Sequence, residues 1–195
     1  MKMNNKDFFN EYAVLIVSSG GCGCSYLNHV IQQKFDTNPI SNIDQMKHLY
    51  CPTSHLLTYN KVDKIIFVYN DPLLAILSHF RRGWAVMQHK QICPKEEHVD
   101  YSILETKEKY FDYVKENKKD GFGIINHALR WKNYEKCLFV DLRNIEKTEQ
   151  QISDYLKINI NLEKFKRKSK IFGVDDEVVS LYKKWDENII CGGNL

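Results

Sequence analysis

Three short, unbroken apolar runs set the tightest constraint on the fold: AVLIV at residues 13–17, KIIFVY at 64–69 and KCLFVDL at 136–142. They are rich in β-branched and aromatic residues and show no polar alternation, as expected of strands covered on both faces in a parallel sheet. The stretches between them have helical periodicity. Tyr26, Leu27, Val30, Ile31 and Phe35 share one side of a helix that begins just after a Gly/Cys-rich knot. After the second run, Asp71 is placed to cap a helix and Pro72 to occupy its first position, where a missing N–H costs nothing; Leu73, Leu74, Ile76, Leu77 and Phe80 follow. Further helices are predicted over 101–119, ending before Gly121, and over 124–135, on an apolar face of Ile124, Ile125, Ala128, Leu129 and Trp131. Residues 148–157 read as a helix opened by a Thr148/Gln151 capping box, and 175–189 as a terminal helix with an acidic first turn. Such alternation predicts a three-layer α/β fold, a mostly parallel sheet flanked by helices. The chain has 195 residues and no internal repeat, low-complexity tract or linker, so a single domain over 1–195 is expected.

Composition narrows the function classes. Hydrophobic residues make up 43% and charged residues 27%, as in ordinary globular proteins, and the apolar runs are far too short to span a bilayer. The opening MKMNNKDFFNEY lacks the apolar core of a secretion signal, so a cytoplasmic protein with no membrane anchor is expected. The six cysteines stand at 22, 24, 51, 93, 137 and 191; one Cys-X-Cys without a second ligand pair argues against a zinc site, and a cytosolic setting keeps thiols reduced. A net charge of +3 carries no nucleic-acid signal, although KFKRKSK at 164–170 concentrates positive charge, either as a solvated face or as an anion site.

The knot SSGGCGCS at 18–25 leaves a buried strand and enters a helix. A glycine-rich loop in that setting points several backbone N–H groups at one place, with the positive end of the helix dipole behind them, and so suits phosphate or sulfate. Gly20, Gly21 and Gly23 permit the tight backbone and Ser25 adds a hydroxyl. The loop has neither the Gly-Lys-Ser/Thr ending of a Walker A motif nor Gly-X-Gly-X-X-Gly, which argues against ordinary nucleoside triphosphate binding. A turn that merely needs small residues is the competing reading.

The segment KIIFVYNDPLLAILSHFRR at 64–82 resembles the strand-loop-helix of sulfotransferases: an apolar strand, Arg-Asp/Asn-Pro, then an apolar helix carrying a Ser. Asp71, Pro72 and Ser78 match. The resemblance implies a P-loop NTPase-like, sulfotransferase-like fold and a donor, 3′-phosphoadenosine 5′-phosphosulfate (PAPS), whose 3′-phosphate would be held by Ser78 and, in place of the family's Arg, by Asn70. The opening loop is similar to the family's 5′-phosphosulfate loop, with Gly21, Cys22, Gly23, Cys24, Ser25, Tyr26 and Leu27 in register and Gly21 where the family carries Lys or Arg. RWKNYEKCLFVDLRNIEK at 130–147 and FKRKSK at 165–170 resemble two later family segments, and the latter implies Arg167 and Lys168 at the 3′-phosphate; Arg81 and Arg82 are further cations that could compensate for Asn70.

The implied activity is sulfuryl transfer to a hydroxyl or amine of a small molecule, glycan or protein, with no metal and no nucleic-acid partner. Its base would be His48, in MKHLYCP, or alternatively His55, in PTSHLLT, since a histidine titrates near neutral pH. Residues 93–120 would form part of the acceptor side. His29, His79, His89, His98 and His127 have no partner spacing and read as ordinary histidines, while Tyr26, Trp84 and Tyr101 are placed to line a pocket mouth. Two other classes stay open: a nucleotide-binding module of the same fold with impaired catalysis, suggested by Gly21 and Asn70, and a kinase-like phosphotransferase.

Overall fold

A computed structural model describes residues 12–43, 45–53, 62–162 and 171–191. The three apolar runs form one parallel sheet in the order β1 (Tyr12–Ser18), β2 (Val62–Tyr69), β3 (Cys137–Asp141). Leu15, Ile16 and Val17 align with Ile65, Ile66 and Phe67 of the central strand, and Phe67 and Val68 align in turn with Phe139 and Val140. Val14 to Val17 and Ile66 to Val68 are completely buried, which explains the lack of polar alternation in those runs.

Seven α-helices are present among the described residues: α1 (Cys24–Ile31), α2 (Pro72–Arg81), α3 (Ala85–Ile92), α4 (Lys107–Asn117), α5 (Ile124–Lys132), α6 (Ile145–Leu156) and α7 (Asp176–Cys191). None is long and apolar enough to cross a membrane. The Asp71 carboxylate accepts from the Leu74 N–H at 2.9 Å, with Pro72 first in α2, as the dipeptide predicts. Two expectations are corrected. The helix predicted from the Thr148 capping box begins three residues earlier, capped by Asn144, because the Thr148 hydroxyl turns inward and donates to the Asp141 carbonyl at 2.7 Å. The helix predicted over 101–119 divides into a 3₁₀ turn at Tyr101–Leu104 and α4, which Thr106 caps. The sequence reading missed α3 altogether; AVMQHKQI has little amphipathic pattern.

The outer edge of β1 is closed in an unusual way. Its outward N–H groups at Val14, Ile16 and Ser18 donate to the Asp36 carbonyl, the Asn38 side-chain oxygen and the Lys47 carbonyl, at 3.1, 2.7 and 3.0 Å. Asn38, fully buried, also donates its amide to the Ile16 carbonyl at 3.1 Å, so one side chain replaces a strand partner. This edging delivers Lys47 and His48 to the C-terminal end of β1. Replacing Asn38 by Ala leaves both Ile16 backbone groups without that partner and is expected to lower stability by roughly 2–5 kcal/mol; denaturant unfolding at constant m-value measures it.

Candidate anion-binding site

Where β1 ends, residues 18–23 turn the chain into α1, whose N-cap is Gly23 and whose N-terminus has no side-chain cap. The first-turn N–H groups of a helix have no intrahelical acceptor, and the first bonds here run from Tyr26 and Leu27 back to the Gly23 carbonyl. The sharp turn depends on left-handed backbone. Gly20, at φ +78°, leaves no room for a side chain, because a Cβ there would lie 2.7 Å from the His79 ring. Gly21, at φ +65°, has its Cβ direction blocked by the Ala75 backbone at 3.0–3.1 Å. A side chain at position 21 is therefore disfavoured both by the left-handed backbone and by the tight approach of α2.

A cation reaches the loop from elsewhere. Lys47 is 7% exposed, and its ammonium donates to the Ser25 hydroxyl at 2.8 Å and to the Ile40 carbonyl at 2.7 Å. Arg82, at the C-terminus of α2, donates to the Ser78 carbonyl and to His79 Nδ1 at 3.0 and 3.3 Å, and its guanidinium stacks on Trp84 at 4.6 Å. Both cations line a cavity of about 700 Å³ together with Gly20, Gly21, Gly23, Cys24, Ser25, His48 and His79. Its far wall is one face of α3 and the residue before it: Trp84, Met87, Gln88 and Gln91. No carboxylate is among the described residues that line it.

Three imidazoles brace the strand end of the loop. A carbonyl only accepts, so the contact of His48 Nδ1 with the Ser18 carbonyl at 2.8 Å places the proton on Nδ1 and leaves Nε2 as a lone pair. By the same reasoning His79 donates through Nε2 to the Ser19 carbonyl, 3.3 Å away, and accepts from Arg82 on Nδ1. His127 donates through Nε2 to the Leu49 carbonyl at 2.8 Å and accepts the Ser19 hydroxyl proton on Nδ1 at 2.9 Å. All three are held neutral. Burial pulls His48 down to about 4, with Lys47 and Arg82 adding to the effect against the Ser18 carbonyl. Burial, then Arg82 and His48, lower His79 to about 3; burial lowers His127 to about 3, opposed by its bond to Leu49 and helped by Arg130 and His48.

No family model, curated protein or solved structure matches the chain. The site therefore rests on its own geometry. Of the residues singled out in the sequence, Gly20, Gly21, Gly23, Cys24, Ser25, His48, Arg82 and Trp84 meet around this cavity. Cys22 is buried with its thiol on the Gly20 carbonyl, Tyr26 packs against the core, and neither lines it. Asn70 is buried behind the loop, its amide oriented to the Cys22 carbonyl at 3.5 Å and its oxygen accepting the Asp71 N–H at 2.8 Å, so it braces the loop from below. Ser78 opens on a second cavity of about 630 Å³, on another side of α2, with Arg81, Thr106, Lys107, Phe172, Glu105 and Glu108. His55, Arg167 and Lys168 lie outside the described residues. None of residues 93–120 lines the loop cavity, whose outer wall is α3 instead. Among the described residues no group of three His, Cys, Asp or Glu side chains could hold a metal ion.

The residues that sequence reasoning passed over are Lys47, His79, His127 and Gln88. A signal existed for two of them: His79 lies four residues after Ala75, and His127 four before Trp131, so each stands on the buried stripe of its helix, where an unpartnered imidazole is costly.

Proposed function

We propose that the protein is a PAPS-dependent sulfotransferase with a P-loop NTPase-like fold, transferring a sulfuryl group to a hydroxyl or amine. The observation that carries this reading is the Lys47 ammonium on the Ser25 hydroxyl, which supplies at the helix end of the loop the positive charge that Gly21 lacks. An uncapped helix N-terminus, a left-handed glycine turn and a buried cation form a site that suits an oxyanion, and none of the described residues that line it is acidic. PAPS supplies an activated sulfuryl group, and adenosine 3′,5′-bisphosphate (PAP) is what departs. Lys47 and the amides of residues 21–25 offset the negative charge that collects on the departing 5′-phosphate. His48 lines the cavity, and with Nδ1 tied to Ser18 its Nε2 lone pair is the group assigned to take the acceptor proton. Ser78, Arg81 and Lys107 in the second cavity are the described residues suited to the 3′-phosphate.

Calorimetric titration of the protein with PAP and with ATP tests the reading. PAP is expected to bind at least tenfold more tightly. Micromolar preference for ATP would favour the phosphotransferase and reject the sulfotransferase. Tight PAP binding without sulfate transfer to a broad panel of phenols, alcohols, sugars and amines would favour a catalytically impaired module, the class that Gly21 and Asn70 suggest.

A further inference from the structure

Gln88 is 2% exposed and faces the loop cavity, yet its Nε2 has no hydrogen-bond partner. It is the one buried side-chain nitrogen or oxygen among the described residues left in that condition. Buried amides are almost always bonded, so an orphan donor at the wall of a cavity points to an acceptor that arrives with a ligand. Its position is specific. The Gln88 carboxamide carbon lies 3.1 Å from where a Gly20 Cβ would stand, beside the His79 ring. Gly20 is at the strand end of the loop, three residues before the N-cap of α1, whereas Lys47 and Ser25 are at the helix end. The loop thus offers two places to put negative oxygen. The helix end has the ammonium and the helix dipole; the strand end has the amide of Gln88.

We infer that Gln88 is the donor that holds an oxygen of the transferred sulfuryl group, while the helix end of the loop holds the adjoining 5′-phosphate. This rests on the sulfotransferase reading and adds to it a residue that distinguishes the charged donor from its spent product, because PAP carries the phosphate and lacks the sulfuryl oxygens. Gly20 serves the same end, since any side chain there would overlap Gln88 and His79. The α3 face that carries Gln88 also carries Trp84 and Met87, both about half exposed, so the sulfuryl position adjoins the apolar mouth of the cavity.

The test compares the wild type with Gln88→Leu, which removes the donor, and Gln88→Glu, which keeps the shape and exchanges the amide for an acceptor. PAPS and PAP affinities are measured by calorimetry, and the melting temperature of each ligand-free protein is recorded. Gln88→Leu is expected to weaken PAPS binding roughly 10- to 100-fold, the range for a hydrogen bond to a charged acceptor, and to leave PAP within about threefold. Gln88→Glu should lose at least as much for PAPS. The ligand-free melting temperature of Gln88→Leu should stay level or rise, since an unbonded buried amide is replaced by an apolar group. Unchanged PAPS affinity in both variants, an equal loss for PAPS and PAP, or a fall in melting temperature that parallels the loss of affinity would each overturn the inference while leaving the sulfotransferase reading in place. A wild type that binds neither nucleotide would overturn both.

Discussion

Below pH 6 the protein is expected to lose stability steeply, by roughly 3 kcal/mol per pH unit between pH 5.5 and 4. The cause is the pair of fully buried imidazoles, His79 and His127, each held neutral to about pH 3. The sign follows from linkage. In the unfolded chain both titrate near 6.5, so below that pH the unfolded state binds more protons than the native state and is favoured as the pH falls. Each histidine contributes at most about 1.4 kcal/mol per pH unit, and the loss ends only when the native groups protonate. Over the interval down to pH 4 the total is on the order of 5 kcal/mol, comparable with the whole stability of an ordinary domain. Urea unfolding followed from pH 7.5 to 4 measures it. Replacing His127 by Gln, which can still donate to Leu49 and accept from Ser19, should remove between a third and a half of the slope, the rest coming from His79 and from His48, which is held neutral down to about 4. A stability that stays flat down to pH 4.5 would show that these rings are not neutral and buried.

Replacing Lys47 by Met is expected to weaken PAP binding by roughly 100-fold, the scale for removing one partner of a buried charge–charge contact. Methionine keeps the apolar stem and discards the ammonium that stands at Ser25 and Ile40. Ligand-free stability should be unchanged or higher, because a desolvated ammonium bonded to two neutral oxygens is a cost to the empty fold. Loss of affinity with gain of stability separates an anion-binding cation from a structural one. Lys47→Arg should recover only part of the affinity, since a planar five-donor fork does not replace a point charge fitted between a hydroxyl and a carbonyl. Equal PAP affinity in wild type and Lys47→Met would remove the cation from the site and leave Gly21 without a substitute.

The sheet was legible because burial on both faces writes itself into composition: residues 13–17 and 64–69 have little polar alternation to confuse with another state. The Asp71-Pro72 start of α2 was legible because capping is a local interaction decided within four residues. Thr148 misled for the converse reason. Its capping pattern is a local option, and a tertiary contact with Asp141 outcompeted it. The helix α3 escaped notice because half of its burial comes from polar residues, Gln88 and His89, which periodicity counts as surface.

By itself the sequence determined that three apolar strands alternate with helices, although β3 proves only partly covered, that a glycine-rich loop joins the first strand to the first helix, and that this loop carries no cation of its own. These follow from burial, backbone sterics and capping, all of which act over a few residues. What charge the loop meets was decided only in three dimensions. Asn38 replaces a strand partner along β1 and so brings Lys47 and His48 alongside Ser18, and α2, α3 and α5 bring His79, Gln88 and His127 beneath Gly20. Those side chains are separated from the loop by 20 to more than 100 residues, and contact over such distances depends on how the layers pack, which no local pattern records.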